Sequence, residues 1–496
     1  MSIVSKFIRE QERYSKNQLR DMLEYDDHGV EKFIKNLKSF GILKTVKNKP
    51  EQKEMSELLD DDIEITDEHA DNSEVLYVFD YVGIVTVINR VLKIYPKYIL
   101  TDKEPLNKMK QVLKVIEKYQ KHENQTINLF NGSSENRSFN ILSIILYFLE
   151  DYYSYGLYTN SDEVLELNGE GDVLWDRTID ECLAIINEGR PYYVDLVTRY
   201  STEDDMDFFK RLHACILTDC SEQLNGTGIS ELFELELVYL TDEKIDDLGD
   251  KEYILNRISN ELNIQYNTRK QILLKTMYAY VSQIKKVSEE DFGISMIGTG
   301  AFHVVWEKVC ADVFDSKLET EIGKIKMHSE LASGYNKKTK LIDLIEKPKW
   351  ENKDVSKEAN ETLKPDLINI SDIDGVDCFI ILDAKYYLLQ LERELPLRGN
   401  PGVGDLVKQY MYQLAYDKFI KDHNIGIVRN FFLMPTDSDE IISKGNARID
   451  MLSNLITQSE RKLENIKIRL LPAEKVYRCY LNGLKINPEK LMLNKE

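Results

Sequence analysis

KPDLINISDIDGVDCFIILDAKYY, Lys364 to Tyr387, is the stretch that decides the fold. Two apolar runs flank Asp374-Gly375. Asp-Gly is a strong two-residue hairpin signal, because a type I′ turn needs positive φ at both central residues. With the turn there, Ile373 pairs with Val376 and Asp366 falls directly opposite Asp383. Opposed side chains in a hairpin have Cβ atoms roughly 4.5–5.5 Å apart. Two carboxylates that close repel each other, and a divalent cation resolves the conflict. Hard oxygen donors of this kind suit Mg²⁺, with Mn²⁺ as a substitute. Lys385 lies two residues past Asp383 and projects from the same strand face. An ammonium there can orient a nucleophilic water and offset charge on a transferring phosphate. An ordinary hairpin with polar ends is the competing reading. Against it, FIIL before Asp383 is apolar throughout, so the charges interrupt a buried element.

Upstream, FHVVWEKVCADVF reads as an amphipathic helix that carries Glu307 between apolar neighbours. That is an odd position for a solvated charge and a candidate third metal ligand. Downstream, GDLVKQYMYQLAYDKFI reads as a helix, RNFFLMPTD as a buried strand and IRLLPAEKVYRCYL as a late strand. Residues 286–496 therefore form a mixed α/β pattern around a small sheet.

The chain has 496 residues with 42% hydrophobic and 30% charged content, enough for several packed domains. No run of eighteen apolar residues occurs, and the N-terminus lacks a signal-peptide core, so a cytoplasmic protein with no membrane partner is expected. The six cysteines are scattered without a C-x-x-C pair and read as reduced. Net charge is −21, which alone argues against a nucleic-acid partner. The charge is uneven, however. Residues 1–50 hold eleven Lys and Arg against seven Asp and Glu, whereas residues 51–75 hold eleven acids and only Lys53.

Residues 1–100 resemble a winged helix, with the acidic segment 51–75 inserted between the wing strands. Ser15 caps a first helix, and Asp27 caps a second with Val30, Phe33, Ile34 and Leu37 on its core face. Gly41 ends that helix. GILKTV and VLYVFDYVGIVTV supply the wing. The opposite face of the second helix carries Lys32, Lys35, Asn36 and Ser39, groups that contact phosphates and base edges. A module that packs only against protein remains the alternative. Residues 101–285 read as a mainly helical scaffold or partner-interaction region. His213 and Cys215 there are expected in the core. No G-x-x-x-x-G-K-[ST] occurs, so any nucleotide hydrolysis belongs to a partner.

The set Glu307, Pro365-Asp366 and Asp383-Ala384-Lys385 resembles the core of the PD-(D/E)xK nuclease superfamily. The helix through Asp405, Lys408, Gln409, Gln413 and Tyr416 is similar to the one that follows the catalytic strand there. YVFDYVGIVTV, NGEGDVLWDRTI, GRPYYVDLVTRY, GTGAFHVVWEKVC and KPDLINI…ILDAKYY together resemble the LlaJI-type restriction endonucleases, relatives of McrC. The resemblance implies double-stranded DNA cleavage in antiviral defence with Mg²⁺, and a separately encoded McrB-like GTPase partner. A homodimer is a further expectation, because one site per chain cuts one strand. The acidic segment 51–75 departs from that pattern and bears on DNA contact by the wing. Two alternatives stay open: a nuclease active only with the GTPase, and a DNA-binding regulator with an inactive nuclease core.

Overall fold

The computed structural model describes residues 4–47, 75–87, 90–122, 130–131, 138–139, 141–159, 161–169, 172–187, 189–203, 207–283, 294–455 and 463–492. The acidic segment thus lies almost wholly outside the described residues. The chain is a multidomain mixture of helices and sheets. It divides into two compact units, Met1–Asn128 with Ile297–Glu496, and Leu129–Met296. The three consecutive blocks expected from the sequence are replaced by an insertion pattern. The N-terminal segment and the hairpin domain fold as one unit, and the middle of the chain folds as the other.

In the first unit, β1 (Val4–Arg9) and β2 (Arg13–Tyr14) precede α1 (Lys16–Leu23) and α2 (Asp27–Ser39). Ser15 accepts from the Gln18 amide in a capping box, as the sequence predicts. The cap of α2 is Asp26, which accepts from Gly29 N, and Asp27 is the first helical residue. Either acid suits the role, and the backbone places Asp26 in the extended conformation that a cap requires. Gly41 follows α2 at φ +69°, which a glycine adopts without cost. β3 (Leu43–Lys47) and β4 (Val75–Phe79) pair antiparallel on either side of the acidic segment.

Three expectations for residues 1–100 are corrected. VLYVFDYVGIVTV is two strands: β4 joins a β2-β4-β3 sheet, whereas β5 (Val82–Val87) joins a β1-β6-β5-β14 sheet. The break falls at Asp80, whose carboxylate pairs with Lys44. The third helix that a winged helix would also need is not among the described elements of this region, which has α1 and α2. The pair of wing strands belongs to a three-stranded sheet. β6 (Arg90–Tyr95) follows β5, and α3 (Leu106–His122) completes the segment.

The second unit contains β7 (Phe130–Asn131) paired with β8 (Ser138–Phe139), then α4 (Ile141–Tyr155). Next come β9 (Ser161–Leu167), β10 (Asp172–Val173), α5 (Trp175–Glu181), β11 (Ala184–Asn187), β12 (Arg190–Tyr193) and β13 (Val197–Glu203). Helices α6 (Phe208–Leu224), α7 (Ile229–Phe233), α8 (Lys251–Ile264) and α9 (Thr268–Gln283) follow. The region read as mainly helical therefore carries a β10-β13-β9 sheet and a β11–β12 hairpin as well. β11 and β12 are four-residue, mostly exposed strands, so they show no alternating apolar face. His213 and Cys215 are core residues, as expected.

β14 (Ile294–Thr299) leads into α10 (Phe302–Val313). Gly298 and Gly83 bring their backbones so close that a Cβ on either would meet carbonyl oxygen at 2.2 Å. β15 (Lys349–Glu351) and β16 (Ser356–Glu358) form a small exposed hairpin. The central sheet then runs through β17 (Leu367–Ile373), β18 (Val376–Ala384), α11 (Val403–Ala415), α12 (Asp417–Asp422), β19 (Ile427–Thr436), β20 (Ile442–Ala447), α13 (Asp450–Leu455), β21 (Ile466–Pro472) and α14 (Ala473–Asn482). Its order is β17-β18-β19-β21-β20, with β18, β19 and β21 parallel and the two edge strands antiparallel. The late strand ends at Pro472, and AEKVYRCYL is helix α14. Val476, Tyr477 and Tyr480 recur there at helical spacing and are buried.

Ile368, Ile370, Phe379 and Ile381 share one face of the sheet and pack against Tyr412, Tyr416 and Phe419. Phe432, Met434, Ile466 and Ile468 form a second core with Tyr410. All six cysteines are free thiols, and Cys215, Cys220, Cys310 and Cys378 are buried. No helix among the described residues is long and apolar enough to cross a membrane.

Candidate active site

The β17–β18 hairpin turns at Asp374 (φ 53°) and Gly375 (φ 80°), the two positive values a type I′ turn needs. Gly375 N donates to Asp372 Oδ1 at 2.8 Å. Ile373 pairs with Val376 and Leu367 with Leu382, so the next step of the register sets Asp366 against Asp383. By strand alternation, both acids continue the face that buries Ile368, Ile370, Phe379 and Ile381. The apolar stripe ends in a pair of carboxyls at the C-terminal end of a parallel strand.

Asp383 is buried and Asp366 half-buried. Asp383 is 4% exposed, and burial together with the charge of Asp366 pushes its carboxyl up to about 7. Asp366 is also raised, by burial first and the charge of Glu307 second, against the pull of Lys385. The Ala384 N–H donates to Asp366 Oδ2 at 2.9 Å. The two carboxyls are coupled, and the charge of Asp366 is among the causes that raise Asp383. This is the behaviour of two acids that cannot both ionise.

Lys385 Nζ lies 2.8 Å from Asp383 Oδ2 and 3.1 Å from Asp405 Oδ1, with 18% of its side chain exposed. Burial disfavours the ammonium, but Asp383, Asp405 and Asp366 outweigh it and hold Lys385 protonated above the usual lysine range. Asp405 sits in the first turn of α11, whose N-cap is Gly402. The sequence places Asp405 on that helix without a role. Its signal is an acid in the first turn of the helix that follows the lysine-bearing strand.

Glu307 projects from the middle of α10. Burial raises its carboxyl, Lys385 lowers it and Asp383 raises it. Its charge therefore reaches the pair. Among the described residues, no three His, Cys, Asp or Glu side chains gather closely enough to hold a metal ion. Glu307 thus stands outside the Asp366–Asp383 contact. Trp306, its neighbour, is fully buried and donates its indole N–H to Leu433 O at 3.1 Å, which fixes the helix on the sheet.

Two hard carboxyls lie beside a fixed ammonium, and this donor set fits a divalent cation. Mg²⁺ accepts one or two carboxylates and fills its remaining positions with water and phosphate oxygen. Tyr412 also feels both acids. Its hydroxyl, which burial pushes up to about 12, donates to Lys364 O at 3.0 Å and holds the start of the hairpin. Gln409 and Gln413 are buried on α11, and Gln413 accepts from Asn430 Nδ2 at 3.0 Å. Lys32, Lys35 and Asn36 lie far along the sequence from this cluster. On α2, Lys35 is exposed while Lys32 and Asn36 are half-buried, opposite the core residues Val30, Phe33, Ile34 and Leu37.

The LlaJI restriction endonuclease profile matches residues 81–471. The chain belongs to the LlaJI restriction endonuclease family. A curated relative, the type II restriction enzyme BsuMI component YdjA of Bacillus subtilis (strain 168), is 27% identical over 425 residues, covering 84% of this chain and 83% of the relative. Among solved structures, the half-complex of Thermococcus gammatolerans McrB AAA+ hexamers with bound McrC overlays 97% of this chain and 99% of its own chain. It does so at 14% identity and a TM-score of 0.36. The McrBC complex of the same organism overlays 61% of this chain and 85% of its own at 14% identity and a TM-score of 0.27. Overlays at these scores do not establish a shared fold. As a LlaJI family member, the chain is a restriction-system nuclease by sequence. Its family match includes the hairpin, α10 and α11, the elements that assemble the carboxyl pair and its lysine.

Proposed function

We propose that this chain is the metal-dependent endonuclease of a restriction system and cleaves double-stranded DNA at the Asp366–Asp383–Lys385 cluster. The observation that carries the reading is a buried Asp383 carboxyl coupled to half-buried Asp366, with the Lys385 ammonium 2.8 Å from Asp383, on a restriction-endonuclease chain. Asp366 and Asp383 would hold Mg²⁺, or Mn²⁺ in its place, and Glu307 would add negative charge beside them. When bound, the ion lowers the pKa of its water and draws charge from the phosphate. Hydrolysis forms a bond from water oxygen to phosphorus and breaks the ester bond to the leaving sugar oxygen. Lys385 supplies a fixed positive charge where the phosphoryl oxygens gather charge. Asp405 holds that ammonium in place. The assignment places the core in the PD-(D/E)xK group, with the segment around α1, α2 and the β3–β4 pair as a winged-helix DNA-binding module. Lys32, Lys35 and Asn36 would meet the DNA backbone and base edges.

A second reading concerns autonomy. The Bacillus subtilis relative carries the word component in its name. The sequence also has no nucleotide-binding motif of its own. A separately encoded McrB-like GTPase would then gate cleavage, and two chains would assemble to cut both strands.

Cleavage of supercoiled phage DNA with Mg²⁺ tests both readings, with wild type beside Asp383→Asn, each with and without GTP and a candidate GTPase. Cutting by the wild type and not by the variant supports the assignment. Cleavage that survives in Asp383→Asn would sink it. Cutting only with the GTPase selects the second reading.

A further inference from the structure

The residue after the lysine is tied to the opposite end of the chain. Tyr386 is buried, and its hydroxyl donates to Glu10 Oε2 at 2.5 Å. Glu10 directly follows β1 and is itself 5% exposed. Its Oε2 also accepts the Lys97 N–H at 3.1 Å. Lys97 places its ammonium 4.7 Å from the centre of the Tyr386 ring and 2.8 Å from Gln11 Oε1. Phe302, the first residue of α10, packs on the same ring with centroids 5.3 Å apart. Tyr98 meets it edge-on at 6.3 Å and reaches the Tyr477 hydroxyl of α14 at 3.2 Å.

This arrangement is costly for a packing contact. A buried carboxyl loses solvation that an apolar residue would not. Burial pushes Glu10 up to about 7 against the opposing pull of Lys97 and Tyr386, and Asp80 raises it further. Tyr386 directly follows Lys385, just past the end of β18. A bond that fixes the phenol fixes the backbone from which the lysine reaches Asp383 and Asp405.

Resting on the nuclease reading above, we propose that Glu10 and Tyr386 form a positioning pair for Lys385, through which the N-terminal segment sets the lysine's place in the site. Neither residue touches the reacting atoms. The phenol–carboxylate bond anchors the end of β18 to the end of β1, and movement of β1 is felt at the lysine. The charged groups around Glu10 are Lys97 and Asp80 from the N-terminal segment, with the phenols of Tyr386, Tyr98 and Tyr477 completing its surroundings.

The test compares wild type with Y386F, E10A and E10Q in two assays. In DNA cleavage, Y386F and E10A lower kcat by between about tenfold and a hundredfold, the range for a misplaced active-site group, at near-constant KM. E10Q keeps an oxygen for the phenol and restores most of the E10A loss. It also removes the change in rate near pH 7 that Glu10 contributes. In amine labelling read by mass spectrometry, which needs no cleavage, Lys385 of the wild type reacts slowly. Y386F raises its rate several-fold while buried Lys93 stays protected. Equal kcat in all variants, or unchanged Lys385 labelling in Y386F, overturns the pair. So does a parallel rise at Lys93, which marks general loosening. If the wild type never cuts DNA but Lys385 labelling responds to Y386F alone, the nuclease reading fails and the positioning pair stands.

Discussion

Two hairpins in this chain are built on opposite terms. β17–β18 buries every residue from Asp377 through Ala384 on β18 and ends in charge. β11–β12 exposes Ile185, Ile186 and Tyr192 by more than half and carries no buried stripe. In the first, charged side chains lie where apolar ones belong. In the second, apolar side chains lie where charged ones belong. Only the first kind of misfit names its own chemistry, because buried acids must be paired, protonated or bound to a cation. An exposed isoleucine has no such constraint.

The sharpest way to break the comparison is Asp383→Asn. The carboxamide keeps size and position but cannot carry the charge. Cleavage is expected to fall by about 10³-fold or more, in line with loss of a principal electrostatic group. A smaller effect follows from Asp405→Asn. Lys385 keeps its 2.8 Å contact to Asp383, and the 3.1 Å contact to residue 405 loses only its charge. A supporting contact of this kind is worth roughly ten- to a hundredfold in activity. If Asp405→Asn equals Asp383→Asn, then Asp405 belongs to the metal site itself and the roles above need redrawing.

The two aspartates differ in how far the sequence reveals them. Asp374-Gly375 set the register, and the register set Asp366 against Asp383, because a two-residue turn leaves no freedom in the pairing. Lys385 followed from strand alternation. Asp405 did not follow, because its approach depends on how α11 crosses back over the sheet, and no local pattern encodes that. The N-terminal region failed differently. VLYVFDYVGIVTV is continuous in apolar character, so nothing local shows the change of sheet at Asp80. The β11–β12 hairpin is hidden in sequence because four-residue, mostly exposed strands lack period-two alternation. Long-range assembly also hid that residues 1–128 join the hairpin domain.

The third prediction uses the coupling between the acids. Asp383 rises from 3.8 to about 7 on folding. Between those values the folded state binds more protons than the unfolded state, so stability falls as pH rises through that window. Below 3.8 both states are protonated and the effect vanishes. Without divalent cation, wild type therefore loses thermal stability from pH 5 to pH 8 more steeply than Asp383→Asn. The gap in Tm is expected to widen by a few degrees, a shift of order 1 kcal/mol for a domain of this size. Glu10 contributes with the same sign in both proteins, so the difference reports the Asp366–Asp383 pair. At pH 8, Mg²⁺ should raise the Tm of wild type and leave that of Asp383→Asn unchanged. Parallel pH profiles would mean that Asp383 titrates normally and the acids are not a coupled pair.

The smallest effect belongs to the other hairpin. Ile186 is 66% exposed, so Ile186→Ala removes little apolar surface from a packed environment. Its unfolding free energy should change by no more than about 0.5 kcal/mol, the usual range for a surface site. Chemical denaturation of the isolated chain measures this directly. A loss of 2 kcal/mol or so, the size seen for buried aliphatic truncations, would mean that Ile186 is covered in solution by another part of the chain or by a second copy. Repeating the measurement over a tenfold range of protein concentration separates those two, because only contact between copies depends on concentration. An unchanged midpoint in both experiments leaves β11–β12 as a hairpin held by its backbone bonds and its turn, with its apolar side chains free of any stabilising duty. The contrast with β17–β18 would then be complete, with one hairpin held by its side chains and the other by its main chain.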